Sequence, residues 1–300
     1  MQLKINYKFL IILMFFTDTL LANQSTNLVS NKIHPAILSL STQELAKSLS
    51  NPLAPLIFMP IVTQRFQWHH ATSAQNASGI SVSLRPTVPI FINDKLLTIN
   101  HAVIPYFHIP SGALYPDNGA VYPDFESTTT NQPGYSNIIG PMQFMSIFTP
   151  NKAHGFNIGI GPYLNIPIGK ILGMNQNIGL GMAGILKYDK NAWVLSAIVQ
   201  NAWSITQNGN ASRFSQFMFT PSISYNFPSG WSLLSVPYIT ADFDAPRNNW
   251  FVPIGGGIGK IVHFDKIPVQ FIVHAYDDII RTRNDPAWTA RFSMIFVFSE

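Results

Sequence analysis

The sequence predicts an all-β fold, a transmembrane antiparallel β-barrel of about 12 strands with a short periplasmic helix near its N-terminus. Three observations carry this. From Leu53 onward, twelve segments alternate polar and apolar residues, and the joins between them run long, short, long, short to the end. Tight turns on the periplasmic side and longer loops outside are the pattern of bacterial outer-membrane barrels. The chain is 47% hydrophobic and only 11% charged, against about 25% charged in soluble domains, so it has too few charges to cover an ordinary wetted surface. It also holds, after the N-terminus, no apolar run of the ~20 residues that a spanning helix needs.

The elements follow in order. Lys4 and Lys8 precede the apolar stretch Phe9 to Phe16, and Ala22 can end a leader, so residues 1–22 read as a signal peptide. Leu20 is larger than ideal at the third position before that cut. Losing Lys4, Lys8 and Asp18 with the leader lowers the formal charge from +4 to +3, too small a bias to argue for nucleic acid. There are no Cys among the 300 residues, which excludes disulfides and thiolate metal sites. Residues 23–52 read as a periplasmic lead-in. Within it Ser41 and Glu44 have capping-box spacing, predicting a helix over 42–49 in the periplasm or tucked into the barrel mouth, with Asn51-Pro52 as its stop. The barrel itself is assigned to 53–300.

The predicted strands cover 53–67, 80–92, 96–108, 138–148, 155–166, 178–188, 192–205, 214–227, 231–241, 249–262, 268–279 and 287–298. In 155–166 one face reads Phe156, Ile158, Ile160, Leu164, Ile166, the other Asn157, Gly159, Gly161, Tyr163, Asn165. Successive side chains point to opposite faces, so the first set is assigned to lipid and the second to the lumen. Turn residues fill the short joins, as in Asn93-Asp94-Lys95, Pro228-Ser229-Gly230 and the stretch near Asp265-Lys266. Every short turn falls after an even strand, which places both termini in the periplasm. The join 109–137 stands out as a candidate lid or constriction. Trp193, Trp203, Trp231, Trp250 and Trp288 fall at or near strand ends, where an interfacial girdle requires them.

A pore needs inward polar or small residues. An Arg facing lipid at mid-depth costs about 2–4 kcal/mol, so strand arginines should point inward or sit near an interface. The lumen-lining candidates are Arg65, Arg85, Asn165, Gln200, Asn226, Gly255, Gly257, Gly259 and Arg291. Catalysis would need a Ser beside a His on one strand face. His101 is followed by Ala102-Val103 and His274 has Tyr276 two along, so neither has that partner. His69 and His70 point to opposite faces if in a strand, and no third metal ligand is indicated. Asp277-Asp278 reads as a solvated rim. Gly255 to Lys260 is no nucleotide loop, since no Ser or Thr follows the Lys. No cofactor is implied.

Several runs recur together: Asn51-Pro52, Arg85-Pro86-Thr87-Val88-Pro89, Gly159-Ile160-Gly161-Pro162, Tyr225-Asn226-Phe227 with Gly230-Trp231, and Trp250 through Lys260. With Trp288, Arg291 and a Phe-rich end, they resemble a family of bacterial outer-membrane transporters named for the meta-pathway of phenol degradation, some of whose members carry the label neuromedin U. The chain departs at Asp242-Phe243, where Asn-Trp is commoner in the family, and closes on Ser299-Glu300. The resemblance implies a non-enzymatic barrel that passes or binds small hydrophobic or aromatic compounds, with no catalytic residue to carry over. Its expected partners are outer-membrane lipid, the barrel-assembly machinery and that solute. The alternative reading is a closed structural barrel whose surface loops bind partners. A lipid-modifying enzyme ranks last.

Overall fold

The computed structural model describes residues 40–69, 77–110, 135–152, 154–167, 177–206, 213–244, 249–264, 267–282 and 285–298. The segment expected to be a signal peptide, most of the expected lead-in and nearly all of the 109–137 join lie outside the described residues, as do Asp265-Lys266, expected as a turn, and His70. One helix, α1 (Thr42–Leu49), precedes the strand segments β1 (Ile57–Gln67), β2 (Ser78–Leu84), β3 (Thr87–Asn93), β4 (Leu96–Pro110), β5 (Tyr135–Ile139), β6 (Met142–Pro150), β7 (Gly155–Ile166) and β8 (Gly179–Lys190). There follow β9 (Trp193–Ser204), β10 (Ser215–Asn226), β11 (Trp231–Ser235), β12 (Ile239–Asp242), β13 (Val252–Phe264), β14 (Ile267–Ile280) and β15 (Trp288–Phe298).

These segments make twelve antiparallel strands in a closed ring. β1 pairs with β15 over its full length, from Ile57 opposite Phe298 to Gln67 opposite Trp288. Closure removes the unpaired edges that a bilayer would not tolerate. Three of the twelve strands are interrupted, each at a proline, which has no N–H to give the ladder. β2 and β3 break at Arg85-Pro86 without loss of register. β5 and β6 break at Gly140-Pro141, where β4 pairs Tyr106 with Ile139 but Val103 with Gln143, a one-residue bulge. β11 and β12 break around Pro237. There the ladder to β13 stops after Leu234 opposite Gly257 and resumes only at Thr240 opposite Phe251.

Alternation fixes which face meets lipid. On β7, Phe156, Ile158 and Ile160 are 50–59% exposed, while Asn157 and Tyr163 are buried. The five girdle tryptophans are all exposed at 38–51%. The interior is two-sided, where the alternation implied a uniformly polar lumen. On one wall β4, β6, β7 and β8 bury Leu97, Ile99, Ile147 and Ile185 in one apolar cluster with Leu53. On the other, β1, β14 and β15 bury Gln64, Gln270, His274 and Arg291.

Helix α1 occupies the predicted residues. Ser41 and Glu44 close the capping box reciprocally, the Ser41 N–H donating to Glu44 Oε2 at 3.0 Å and the Glu44 N–H to Ser41 Oγ at 3.2 Å. The helix docks at the end of the barrel that carries the short turns. Gln43 Nε2 donates to the Asn226 carbonyl at 2.7 Å, and Ser50 Oγ to Asn226 Oδ1 at 3.3 Å. Lys47 Nζ lies 3.5 Å from Asp189 Oδ2. Asp189 also pairs directly with the buried Lys187. Beyond the helix the chain turns inward rather than starting β1 at once. Asn51 Oδ1 accepts the Leu53 N–H, and Leu53 enters the barrel core, 2% exposed. The first strand therefore begins at Ile57, four residues later than the pattern predicted.

Candidate functional site

A cavity of about 260 Å³ lies inside the barrel. Its floor is Leu49 to Pro52, the end of α1 and the stop that follows. One side is apolar, with Ile99, Ile147, Ile185, Ile198 and Met218. The opposite side carries Arg85, Gln270, His274, Arg291 and Tyr238. Toward the longer loops the lumen is filled by Trp68, Phe66 and Phe107, each no more than 1% exposed. Among the described residues, a pocket of about 10 Å³ lies beside Arg291 and Tyr238 in that direction, at the lower limit for one water.

The strand breaks build the polar side. Pro237 ends β11, and the freed groups of Val236 turn to side chains. Its N–H donates to Tyr276 Oη at 3.0 Å, and its carbonyl accepts from Arg291 Nη1 at 3.0 Å. Past the break, Tyr238 lies between two arginines. The Arg291 guanidinium sits 4.0 Å over its ring, while Arg85 Nη1 donates to its hydroxyl at 2.7 Å. Arg85 itself stands at the other break, its Nε donating to Ser83 Oγ at 2.8 Å. Arg291 Nε donates to Gln64 Oε1 at 2.9 Å, and Tyr276 offers a second ring at 5.1 Å. A ring face attracts a cation electrostatically and so helps to hold it where water is excluded. Thr87 Oγ1 and His101 Nδ1 share a hydrogen bond of 2.8 Å on the adjoining wall.

Of the residues singled out from the sequence, Arg85, Gln200 and Arg291 line this cavity. Arg65 does not face inward. It is exposed on the outer face of β1, between Ile80 and Ala290, near the end that bears the longer loops. Asn165 is buried, with its amide donating to Gln216 Oε1 at 2.9 Å, above the cavity. Asn226, fully buried, anchors α1 at the opposite end and accepts from Ser232 Oγ at 2.8 Å. Gly255, Gly257 and Gly259 share one face of β13 but are not among the lining residues. A Cβ at Gly257 would meet the Val273 carbonyl oxygen and lie 2.7 Å from His274 Cδ2. The glycines serve close strand approach rather than an open path. Sequence reasoning did not single out Tyr238 or Gln270, and it read Asn51-Pro52 as a helix stop rather than as part of a cavity floor. Pro237, two residues after a strand pattern fades, was the available signal for Tyr238.

A closed ring of twelve antiparallel strands, apolar toward lipid and enclosing a two-sided cavity, is the fold of outer-membrane β-barrels. A solved structure shares it, and others are similar at lower scores. An outer-membrane channel from Pseudomonas putida F1 has a TM-score of 0.55 at 14% identity, covering 82% of this chain and 97% of that one. The CymD monoaromatic hydrocarbon channel gives 0.42 at 7% identity over 87% and 93%. Outer-membrane phospholipase A from Escherichia coli gives 0.40 at 10% identity over 87% and 99%. The chain matches no family model and no curated relative.

Proposed function

We propose that this barrel resides in the outer membrane and passes small hydrophobic or aromatic compounds, the lumen cavity being the station where they bind. The observation that carries the reading is the cavity itself. About 260 Å³ exceeds the ~150 Å³ of an apolar cavity able to hold benzene, and its larger part is aliphatic. Pockets of that kind bury ring-sized ligands, with a few polar groups setting orientation. The reading agrees with the resemblance to the meta-pathway transporter family, and it has a lipid belt and the barrel-assembly machinery as partners. It assigns no cofactor and no catalysis.

A second reading rests on the floor. Residues 49–52 close the cavity on the side where α1 docks, as they would in a sealed structural barrel whose outer loops bind partners. Uptake of a radiolabelled monoaromatic into proteoliposomes tests the first reading against it. Wild-type protein should accelerate uptake over empty vesicles, and Ser196→Trp, which places an indole in the cavity, should abolish the gain with the barrel still folded. No acceleration by the wild type would favour the sealed barrel.

A further inference from the structure

We propose that the cavity selects apolar solutes that carry one carboxylate, bound head-first against Arg291 and Arg85. This deepens the passage reading and rests on it for the site.

Among the described residues, the charges lining the cavity are of one sign: Arg85 and Arg291 are its guanidiniums, with no Asp or Glu beside them in the lining. Arg291 is 5% exposed, yet its partners are neutral: Gln64 Oε1, the Val236 carbonyl and the faces of Tyr238 and Tyr276. A buried charge is ordinarily paired with an opposite one. Beside it stand polar groups that the protein leaves unused. His274, directly across from Arg291 on β14, is 4% exposed, and neither ring nitrogen has a hydrogen-bond partner. Gln270, two inward positions further along β14 and 1% exposed, has an unpartnered Nε2. Both line the same cavity.

A wall that presents the Arg291 guanidinium on neutral partners beside an unpartnered amide N–H and an unpartnered imidazole fits a carboxylate. The planar fork of Arg suits its two oxygens, and the second oxygen can take the Gln270 amide or the N–H of a neutral His274. The aliphatic wall opposite takes the ring or chain. A neutral aromatic gains the second contact and not the first. One charge-assisted hydrogen bond is worth roughly 1.5–3 kcal/mol, or about tenfold or more in affinity.

The test is calorimetric titration of the detergent-folded full chain with benzoate and with benzyl alcohol, near-isosteres of which only the first is charged at pH 7. Benzoate should bind at least about tenfold tighter. Arg291→Gln should erase that difference. If Arg291→Gln loses the folded band on unboiled gels, Ser293→Asp supplies the same test by placing a carboxylate on the cavity wall. Equal binding of the two ligands by the wild type, or a benzoate preference that survives both substitutions, overturns the proposal. Proteoliposome uptake separates the two readings. Benzyl alcohol taken up without a benzoate preference sinks the carboxylate site and leaves passage standing. Benzoate bound selectively but not taken up supports the site and sinks passage.

Discussion

At the scale of single residues, what a side chain would strike decides more than what it is. A Cβ on Gly181 would collide with the Asn201 carbonyl oxygen of β9, whereas one on Gly184, three residues along the same strand, would meet nothing within 4 Å. Gly181→Ala should therefore destabilise the barrel by about 1–3 kcal/mol, the usual scale of overpacking. Gly184→Ala should be neutral. The temperature at which the folded band disappears on unboiled gels reads both. This contrast marks a limit of the sequence reading. Gly257 looked like room in the lumen because periodicity gives a residue's face but not the distance to the next strand. Arg65 and Arg291 show the same limit differently. Both lie in strands of alternating pattern, and β1 carries Gln64 and Arg65 side by side. Gln64 takes the lumen at 1% exposure and Arg65 the outer face. Near an interface an outward Arg costs about 0–1 kcal/mol, so polarity alone does not fix the register there.

At the scale of elements, the strands were legible, and the docking of α1 only as one of two positions, the periplasm or the barrel mouth. Period-two alternation is local, so β7 is predicted to the residue, and Pro86, Pro141 and Pro237 each stood in the sequence where a ladder now breaks. The helix was legible too, through Ser41 and Glu44. The choice between its two positions was not, because the contacts that hold it reach from Gln43 and Ser50 to Asn226, 183 and 176 residues away. Those contacts make α1 a removable floor. Gln43→Ala, Lys47→Ala and Ser50→Ala together cut its side-chain ties to Asn226 and Asp189 while sparing the capping box and the buried Lys187 pair. Planar-bilayer recordings should then show more frequent or larger openings than the wild type. The same floor should loosen in acid. Hydrogen bonds from the Ser41 backbone and hydroxyl hold the Glu44 carboxyl below its ordinary value of 4.5. A lowered folded value means that the stabilisation is present above the unfolded value and is lost as pH falls through the folded one. Openings should increase as the pH drops below the ordinary Glu value, and Glu44→Ala should show them at neutral pH.

At the scale of the whole molecule, the lipid face, the closed ends and the interrupted wall have to be read together. Ile160, in the middle of β7 and 59% exposed, should cost about 2–4 kcal/mol as Arg at the bilayer midplane, in contrast to the native Arg65 near the rim. Refolding yield into vesicles checks this. A solute in the cavity meets α1 on one side and packed aromatics on the other. The wall itself is weakest between Ser235 and Ile239, where no ladder pairs join β11 and β12 to β13 across from Val252 to Gly256. Val236, at that gap, lines the cavity, so an apolar solute leaving there would enter lipid without crossing water. The geometry allows a direct test. A Cβ at Gly256 would lie 3.7 Å from the Ser235 Cβ, within the ~3.5–4.5 Å that a disulfide requires, and the chain has no Cys to interfere. With Ser235→Cys and Gly256→Cys oxidised, uptake of an apolar aromatic should fall and should recover on reduction, if the gap widens during passage. Unchanged uptake with the bond formed would assign the route to the barrel axis, and there the release of α1 becomes the step that limits it.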